Sequence, residues 1–388
     1  MQNITLSAID SDDIAFNFAD FINALEQLTD PRDKRGRIYP LVSLLGMVLL
    51  ARLSGQDKPQ SIFEWVRMRS AAVIQLFALP KQQTPCLNTF RSILSYDDLS
   101  DELEQLFKRY LYATYGGQAS RLIAVDGKTM RGTIPKGMTQ GVHLLSAYLV
   151  EEDIVLKQVK VPEKQNEISA GPLLLDGLPL AGKILCADAM QTQRKFCTTA
   201  LANGANYMLW AKDNQPTLVA DIEQFFVPPR QAAGWFKTPL PQTIASETCK
   251  GHGRLEKRVL TVITDEEAFL QWPGVKQVFK LERYTKEIKR EVETTTVTYG
   301  LTSCDATQAS AKELLDWTRA YWGIENGLHY RRDVTLNEDA TRLSCPNMAK
   351  AIAVINNFIV GLTRKLGYKN LASARRHFDA SIARQLVF

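Results

Sequence analysis

At 388 residues, 45% apolar and 23% charged, the chain has an ordinary globular composition and is long enough for two or three domains, which excludes a disordered or fibrous protein. Six scattered cysteines with no CxxC pair exclude a zinc ribbon and a disulfide framework, and fit free thiols in a reducing cytosol. Net charge is only +5, but from Thr341 onward eight Lys/Arg stand against one acid, Asp379, an asymmetry that suits a polyanion.

The N-terminus, MQNITLSAIDSDD, lacks the basic-then-apolar order of a signal peptide. From Phe16 to about Leu111 the apolar spacing predicts helices, over FADFINALEQL, LVSLLGMVLLARL, and two more in Thr89 to Leu103. The run Leu41 to Leu53 contains Ser43, Gly46 and Arg52 and is shorter than the roughly 20 residues a spanning helix needs. A soluble, cytoplasmic protein without a membrane partner is expected. Between the first two helices, Arg32, Lys34, Arg35 and Arg37 form a cationic turn. A small helical domain of this kind is able to read DNA, although no helix-turn-helix register is fixed.

From Arg121 the pattern changes to strands. Leu122 to Val125 reads as a strand buried on both faces that ends in Asp126, with Gly127 letting the chain turn and Lys128 adding a cation. His143 to Val150 and Ile154 to Val161 follow as a meander, then a helix over Asn166 to Leu178. Lys183 to Gln193 repeats the first theme, an apolar strand ending in Asp188. A helix over Gln193 to Asn203 and a strand at Tyr207 to Lys212 complete the order βββαβαβ, that of a ribonuclease-H-like α/β core with a mixed sheet. Between Lys212 and Ala311 the helical pattern lapses, and strands at Leu255 to Thr264, Gln277 to Arg283 and Glu291 to Thr302 predict a β-rich insertion. A helix carrying Glu325 then closes the core, and Asn347 to Arg364 makes a last long helix. The expected organisation is a helical domain over 1–118, the first part of the core over 119–215, the insertion over 216–310, the Glu325 helix over 311–345 and a basic helical tail over 346–388.

Two aspartates at the ends of buried strands, and a glutamate from a packing helix, form a set of hard oxygen donors if they converge. Such a set holds Mg²⁺ or Mn²⁺, and two ions about 3.5–4 Å apart can promote in-line attack on a phosphodiester. Taken singly, each acid reads as a helix cap or an ion-pair partner; matched strand contexts favour the site. Around Glu325, Tyr321, Leu328, His329 and Arg332 share a face at helical spacing, and Arg332 is placed to hold a phosphate. Gly323 and Gly327 flank Glu325 at about 1 kcal/mol each in a helix interior, which fits a close approach by the sheet or by a DNA backbone. Lys212-Asp-Asn214-Gln215 and the turn Lys250-Gly-His252-Gly-Arg254 read as phosphate-contacting loops. Glu338 and Asp339 beside Arg342 read as a local salt bridge.

The ordered motifs VDGK-x-x-RG, CADAMQTQ, KDNQP, GHGR-x-E-x-R and R-x-x-WGIEN-x-LH-x-x-x-DV-x-x-NED-x-x-R, with DPRDKRGRIYPL before them, resemble the H-repeat-associated family of bacterial insertion-sequence transposases over nearly the whole chain. The resemblance implies a nucleoid-associated DDE transposase whose catalytic and metal-binding acids fall on Asp126, Asp188 and Glu325. It implies two Mg²⁺ or Mn²⁺ ions, cleavage at the element's terminal inverted repeats, 3′-hydroxyl attack on target double-stranded DNA, and a homodimer in the DNA complex. DNA-contacting residues are then expected among Lys128, Arg131, Lys212, Asn214, Gln215, His252, Arg254, Arg319, Asn326, His329 and Arg332. The wider group of transposases with a β-strand insertion carries Tyr-x-x-Arg-x-x-x-Glu and a Lys seven residues later. Here those places hold Thr318, Tyr321, Glu325 and Arg332, with Arg319 the candidate substitute for the arginine. Two rival functions remain at this point: a DNA-binding remnant without transposition, and a stand-alone metal-dependent nuclease.

Overall fold

The structure, a computed structural model, describes residues 4–7, 15–115, 120–162, 166–227, 240–251, 253–289 and 292–386. Two short strands, β1 (Thr5–Ser7) and β2 (Ala15–Asn17), pair antiparallel ahead of the first helix and were not legible as strands. Six helices follow: α1 (Phe18–Leu25), α2 (Leu41–Leu53), α3 (Pro59–Met68), α4 (Ser70–Phe77), α5 (Leu87–Ile93) and α6 (Asp97–Tyr115). Helix α2 is buried nearly all round, as an apolar run without an amphipathic stripe must be. In the cationic turn before it, Arg32 is held by a two-bonded pair to Asp30 at 2.9 and 2.8 Å, and Arg37 donates to the Asp30 and Arg32 carbonyls. Half of that charge run is therefore occupied in shaping its own loop.

Among the described residues nine strands form one mixed sheet, which makes this a mixed α/β fold. They are β3 (Leu122–Met130), β4 (Val142–Leu149), β5 (Ile154–Val161), β6 (Ile184–Ala187), β7 (Asn206–Ala211), β8 (Gln242–Gly251), β9 (Arg254–Thr264), β10 (Gln277–Glu287) and β11 (Val292–Thr302). Their order is β5-β4-β3-β6-β7-β11-β10-β9-β8. The meander β3-β4-β5 is antiparallel, β3-β6 and β6-β7 are parallel, and β7-β11 returns to antiparallel. Crossover helices α7 (Glu167–Leu175) and α8 (Arg194–Ala202) supply the parallel connections. The β-rich insertion is thus hydrogen-bonded edge to edge onto the core through β11. The stretch after Lys212 is not uniformly without helix, since α9 (Pro216–Phe226) opens it, with Pro216 at its first turn. Strand β8 was also missed, because its residues are mostly exposed and show no apolar alternation.

Beyond the sheet come α10 (Ala311–Ala320), α11 (Pro346–Lys365) and α12 (Leu371–Gln385). Helix α11 packs against α6 and β5, and most of its length is buried in the cluster that also holds Phe16, Phe21, Phe107 and Leu144. Phe358 stacks on Phe107 at 4.4 Å. Four of the eight cations from Thr341 onward, expected to face a polyanion, are paired with acids. Lys350 pairs with Asp97 and Asp101, Arg364 with Asp153, Lys365 with Glu152, and buried Arg375 with Asp57 at 2.6 Å. These four cations complement acids on neighbouring elements, while Arg342, Lys369, Arg376 and Arg384 stay exposed. Among the described residues no helix is long and apolar enough to cross a membrane.

Candidate active site

The parallel pairing of β3 and β6 ends at Val125 opposite Ala187, so the next residue on each strand is an aspartate. Asp126 does not end its strand. Strand β3 runs on to Met130 in antiparallel register with β4, Asp126 facing Ser146, while β6 stops at Ala187. The edge of β3 beyond Val125 is thereby left without its β6 neighbour at the point where Asp188 turns away. Nor does Gly127 make a turn: a Cβ there would lie 2.2 Å from Glu167 Oε1 and 2.6 Å from His143 Nε2, and that close approach is what the glycine permits.

Asp188 Oδ1 accepts from the Met190 and Gln191 backbone N–H groups at 3.0 and 3.4 Å, which fixes the carboxylate at the head of its loop. The same loop is held from the β7 side. Asn214 Nδ2 donates to the Ala189 carbonyl and Gln215 Nε2 to the Thr192 carbonyl, each at 2.8 Å, and Thr192 Oγ1 donates to the Trp210 carbonyl at 2.5 Å. Asn214 and Gln215, expected at phosphates, instead fasten the Asp188 loop, because parallel neighbouring strands bring their following loops side by side. Lys212 is exposed, and its charge reaches Asp188.

The third acid lies on a segment that departs from the expected α-helix. After α10 the chain enters π-helical turns over Ile324–His329 and Arg331–Thr335, where hydrogen bonds reach five residues back, from Tyr330 N–H to the Glu325 carbonyl and from Leu336 N–H to the Arg331 carbonyl. Tyr321, Leu328, His329 and Arg332 face inward and Glu325 is 52% exposed. The two flanking glycines do meet packed neighbours: a Cβ at Gly323 would stand 2.7 Å from Val150 Cγ1, and one at Gly327 2.9 Å from the Tyr148 hydroxyl.

Asp126, Glu325 and His329 each offer an atom within 4.8 Å of the others. His329 Nδ1 is 3.4 Å from Asp126 Oδ2 and 4.0 Å from Glu325 Oε2. Burial, followed by the Glu325, Glu167 and Asp188 charges, pushes the Asp126 carboxyl up to about 8, against the backbone hydrogen bond at Gly127. Burial and then Glu167 also raise Asp188, with Lys212 opposing. Burial, reinforced by Arg332, Lys128 and His143, lowers His329 to about 3, so its imidazole is neutral. Crowded carboxylates and a neutral imidazole are a donor set that a divalent cation fits, and a cation offsets the burial and the repulsion that push the Asp126 carboxyl up.

Glu167, at the first turn of α7, was not singled out in the sequence. Its Oε1 lies 2.7 Å from His143 Nε2, and His143 Nδ1 lies 2.7 Å from Thr129 Oγ1, which brings a fourth acid beside the aspartates through β3 and β4. The available signal was Glu167 just after the N-cap Asn166, which reads equally as an ordinary acid in a first helical turn.

Two of the expected phosphate contacts are structural. Arg332 is fully buried, donating to Glu338 at 3.1, 2.9 and 2.7 Å and to Gln158 at 3.1 Å. Burial of a guanidinium requires such a partner, and Glu338 supplies it. Lys128 is 7% exposed and sits between Asp333 at 2.5 Å and Asp339 at 3.6 Å. The Glu338-Asp339 pair therefore bridges to Arg332 and Lys128 rather than to Arg342. Gly132 completes this junction, since a Cβ there would lie 2.2 Å from the Thr341 carbonyl. Arg131 keeps an 80% exposed side chain while its backbone N–H donates to Asp339. Arg319 is exposed and 3.5 Å from Glu247 on β8, Asn326 is exposed and donates to the Trp322 carbonyl, and Arg254 is exposed at the β8–β9 turn. His252 lies outside the described residues.

Residues 117–361 match the family described as Transposase DDE domain, and residues 22–111 match the DDE_Tnp_1-associated family. The chain belongs to the DDE transposase family. Relatives of this DDE transposase chain include YncI of Escherichia coli O157:H7, which carries a provisional transposase name and is 29% identical over 85% of this chain and 84% of its own length. The H repeat-associated YhhI of Escherichia coli K12, also provisionally named a transposase, is 31% identical over 72% of this chain and 76% of its own. The motifs therefore place the chain with the H-repeat-associated proteins. Among solved structures, the piggyBac transposase in a synaptic complex with hairpin DNA aligns over 95% of this chain and 76% of its own, at 10% identity and a TM-score of 0.44.

Proposed function

We propose that this protein binds the terminal inverted repeats of its insertion sequence, cleaves the DNA strands there and joins the freed 3′-hydroxyl to target double-stranded DNA, acting as a homodimer on a ribonuclease-H-like core. The observation that carries this reading is Asp126 on β3 with Glu325 of the π-helical segment within 4.8 Å of it, and Asp188 following the adjacent strand β6, near enough for its charge to raise Asp126. Family membership supplies the reaction class. Asp126, Asp188 and Glu325 would hold two Mg²⁺ or Mn²⁺ ions, which would supply charge stabilisation for in-line attack on the phosphodiester.

The chain's own part is positioning. The Met190 and Gln191 N–H groups and the Asn214 and Gln215 amides keep Asp188 fixed. The exposed half of Glu325 opens the cluster to a DNA strand. Lys212, Arg131, Arg319, Arg254 and Asn326 are the exposed groups that meet the DNA backbone, where cations dominate affinity. The test incubates purified protein with a labelled end from its own element and supercoiled plasmid, with Mg²⁺, Mn²⁺ or chelator, beside Asp188→Asn. Metal-dependent joined product that the variant lacks supports the reading. Cleavage without joining makes the protein a nuclease, and binding without chemistry makes it a DNA-binding remnant.

A further inference from the structure

His329 has no settled partner. It is 5% exposed, its Nε2 is buried without a hydrogen-bond partner, and its Nδ1 faces Asp126 at 3.4 Å, long for a hydrogen bond. The side chain is also held by its surroundings: it follows Glu325 by one turn of the π-helical segment, so both project toward Asp126 on β3. With the proton on Nδ1 the ring meets Asp126 Oδ2 at 3.4 Å; with the proton on Nε2, Nδ1 presents its lone pair to Asp126 and Glu325, where a cation among the three takes it.

We infer that His329 is a metal ligand through Nδ1, completing with Asp126 and Glu325 a site of one nitrogen and two carboxylates that prefers Mn²⁺ to Mg²⁺. This rests on the metal-dependent reading above and adds to it a ligand and a selectivity. Mg²⁺ gives up its water reluctantly and favours all-oxygen shells, while an imidazole donor suits the later transition ions, with Mn²⁺ the ion common to both preferences. The two metal positions of the site are then chemically unequal, and His329 marks the one that Glu325 shares.

The experiment is Mn²⁺ titration of the full chain followed by electron paramagnetic resonance, with pulsed detection of nitrogen coupling in protein carrying ¹⁵N-histidine or natural histidine. Expected are a histidine-nitrogen coupling to bound Mn²⁺, its loss in His329→Gln, and a fall in Mn²⁺ affinity of roughly 10-fold or more in that variant, with Mg²⁺ affinity, read by competition, changing less. If the His329 variant does not fold, the isotope comparison is made in the unaltered chain and in His143→Gln, and a coupling that survives the loss of the neighbouring histidine supports His329. Mn²⁺ that binds and is released by Asp126→Asn, yet shows no histidine nitrogen, overturns the inference and leaves the proposed function standing. Mn²⁺ that fails to bind, or binds equally to wild type and Asp126→Asn, removes the metal-dependent reading and this inference with it.

Discussion

Replacing Arg332 by Met separates two accounts of the residue. As a phosphate ligand it would be removable with little effect on folding and a clear loss of DNA affinity. The structure instead has Arg332 and Glu338 both without side-chain exposure, joined by three hydrogen bonds, with Asn356 donating to Glu338 at 2.8 Å. Taking away one member leaves a buried carboxylate uncompensated, which costs about 3–5 kcal/mol, whereas Arg332→Met with Glu338→Leu removes both charges and recovers most of that loss. The assay is urea unfolding at pH 7 of wild type, both single variants and the double variant. Burial would raise the Glu338 carboxyl, but the charge and hydrogen bonds of Arg332 outweigh it and hold it below the usual range. The stability it contributes is therefore present above its unfolded-state value, about 4.3, and is lost as pH falls through the lower folded-state value. A loss under about 1 kcal/mol in Arg332→Met, or a double variant no better than the single, would refute the reasoning.

Three further outcomes are expected. Burial raises Glu104 to about 7, so the stability of the wild type declines as pH rises from about 4.5 to about 7 and then levels; Glu104→Gln flattens that profile in thermal melts, and an unchanged profile removes the assignment. Gly127→Ala costs about 1–3 kcal/mol as its methyl displaces the His143–Glu167 pair, and metal-dependent cleavage falls even where circular dichroism reports an intact fold; full cleavage would show the pair to be dispensable. Glu167→Gln removes a charge that raises both aspartates, so the pH midpoint of Mg²⁺ binding shifts downward, and a midpoint that stays or rises would contradict the coupling.

The meander, both crossover helices and β7 were legible because buried strands and amphipathic helices carry their period in the side chains, as at Leu122 to Val125 and Ile184 to Ala187. Strand β8 was not, since a ribbon exposed along its length has no apolar face to alternate. The two aspartates stood out as charges after apolar runs, and Glu325 as an acid between two glycines on a helical segment. Glu167 and His143 did not, because their meaning comes from the contact of two elements, α7 against β4, that no local pattern announces. Arg332 misled for the same reason: spacing located it on the inward face of its turn but not the carboxylate six residues on that neutralises it. Lys350, Arg364 and Arg375 likewise looked free in the sequence because the acids that pair with them, Asp97, Asp153 and Asp57, lie far away along the chain.

The wide turns over Ile324–His329 and Arg331–Thr335 set a tolerance on chain length. Tightening to α-helical winding would absorb the loss of one residue, but in a regular α-helix one residue advances the side chains by about 100°, so a deletion that leaves the wide turns as they are would swing everything on its far side by that angle. Glu325 and His329 would then part company, and Arg332 would turn away from Glu338. Exposed loops in such a molecule can gain or lose residues freely, but this segment can lose one only by giving up a wide turn, so its length is tied to its winding.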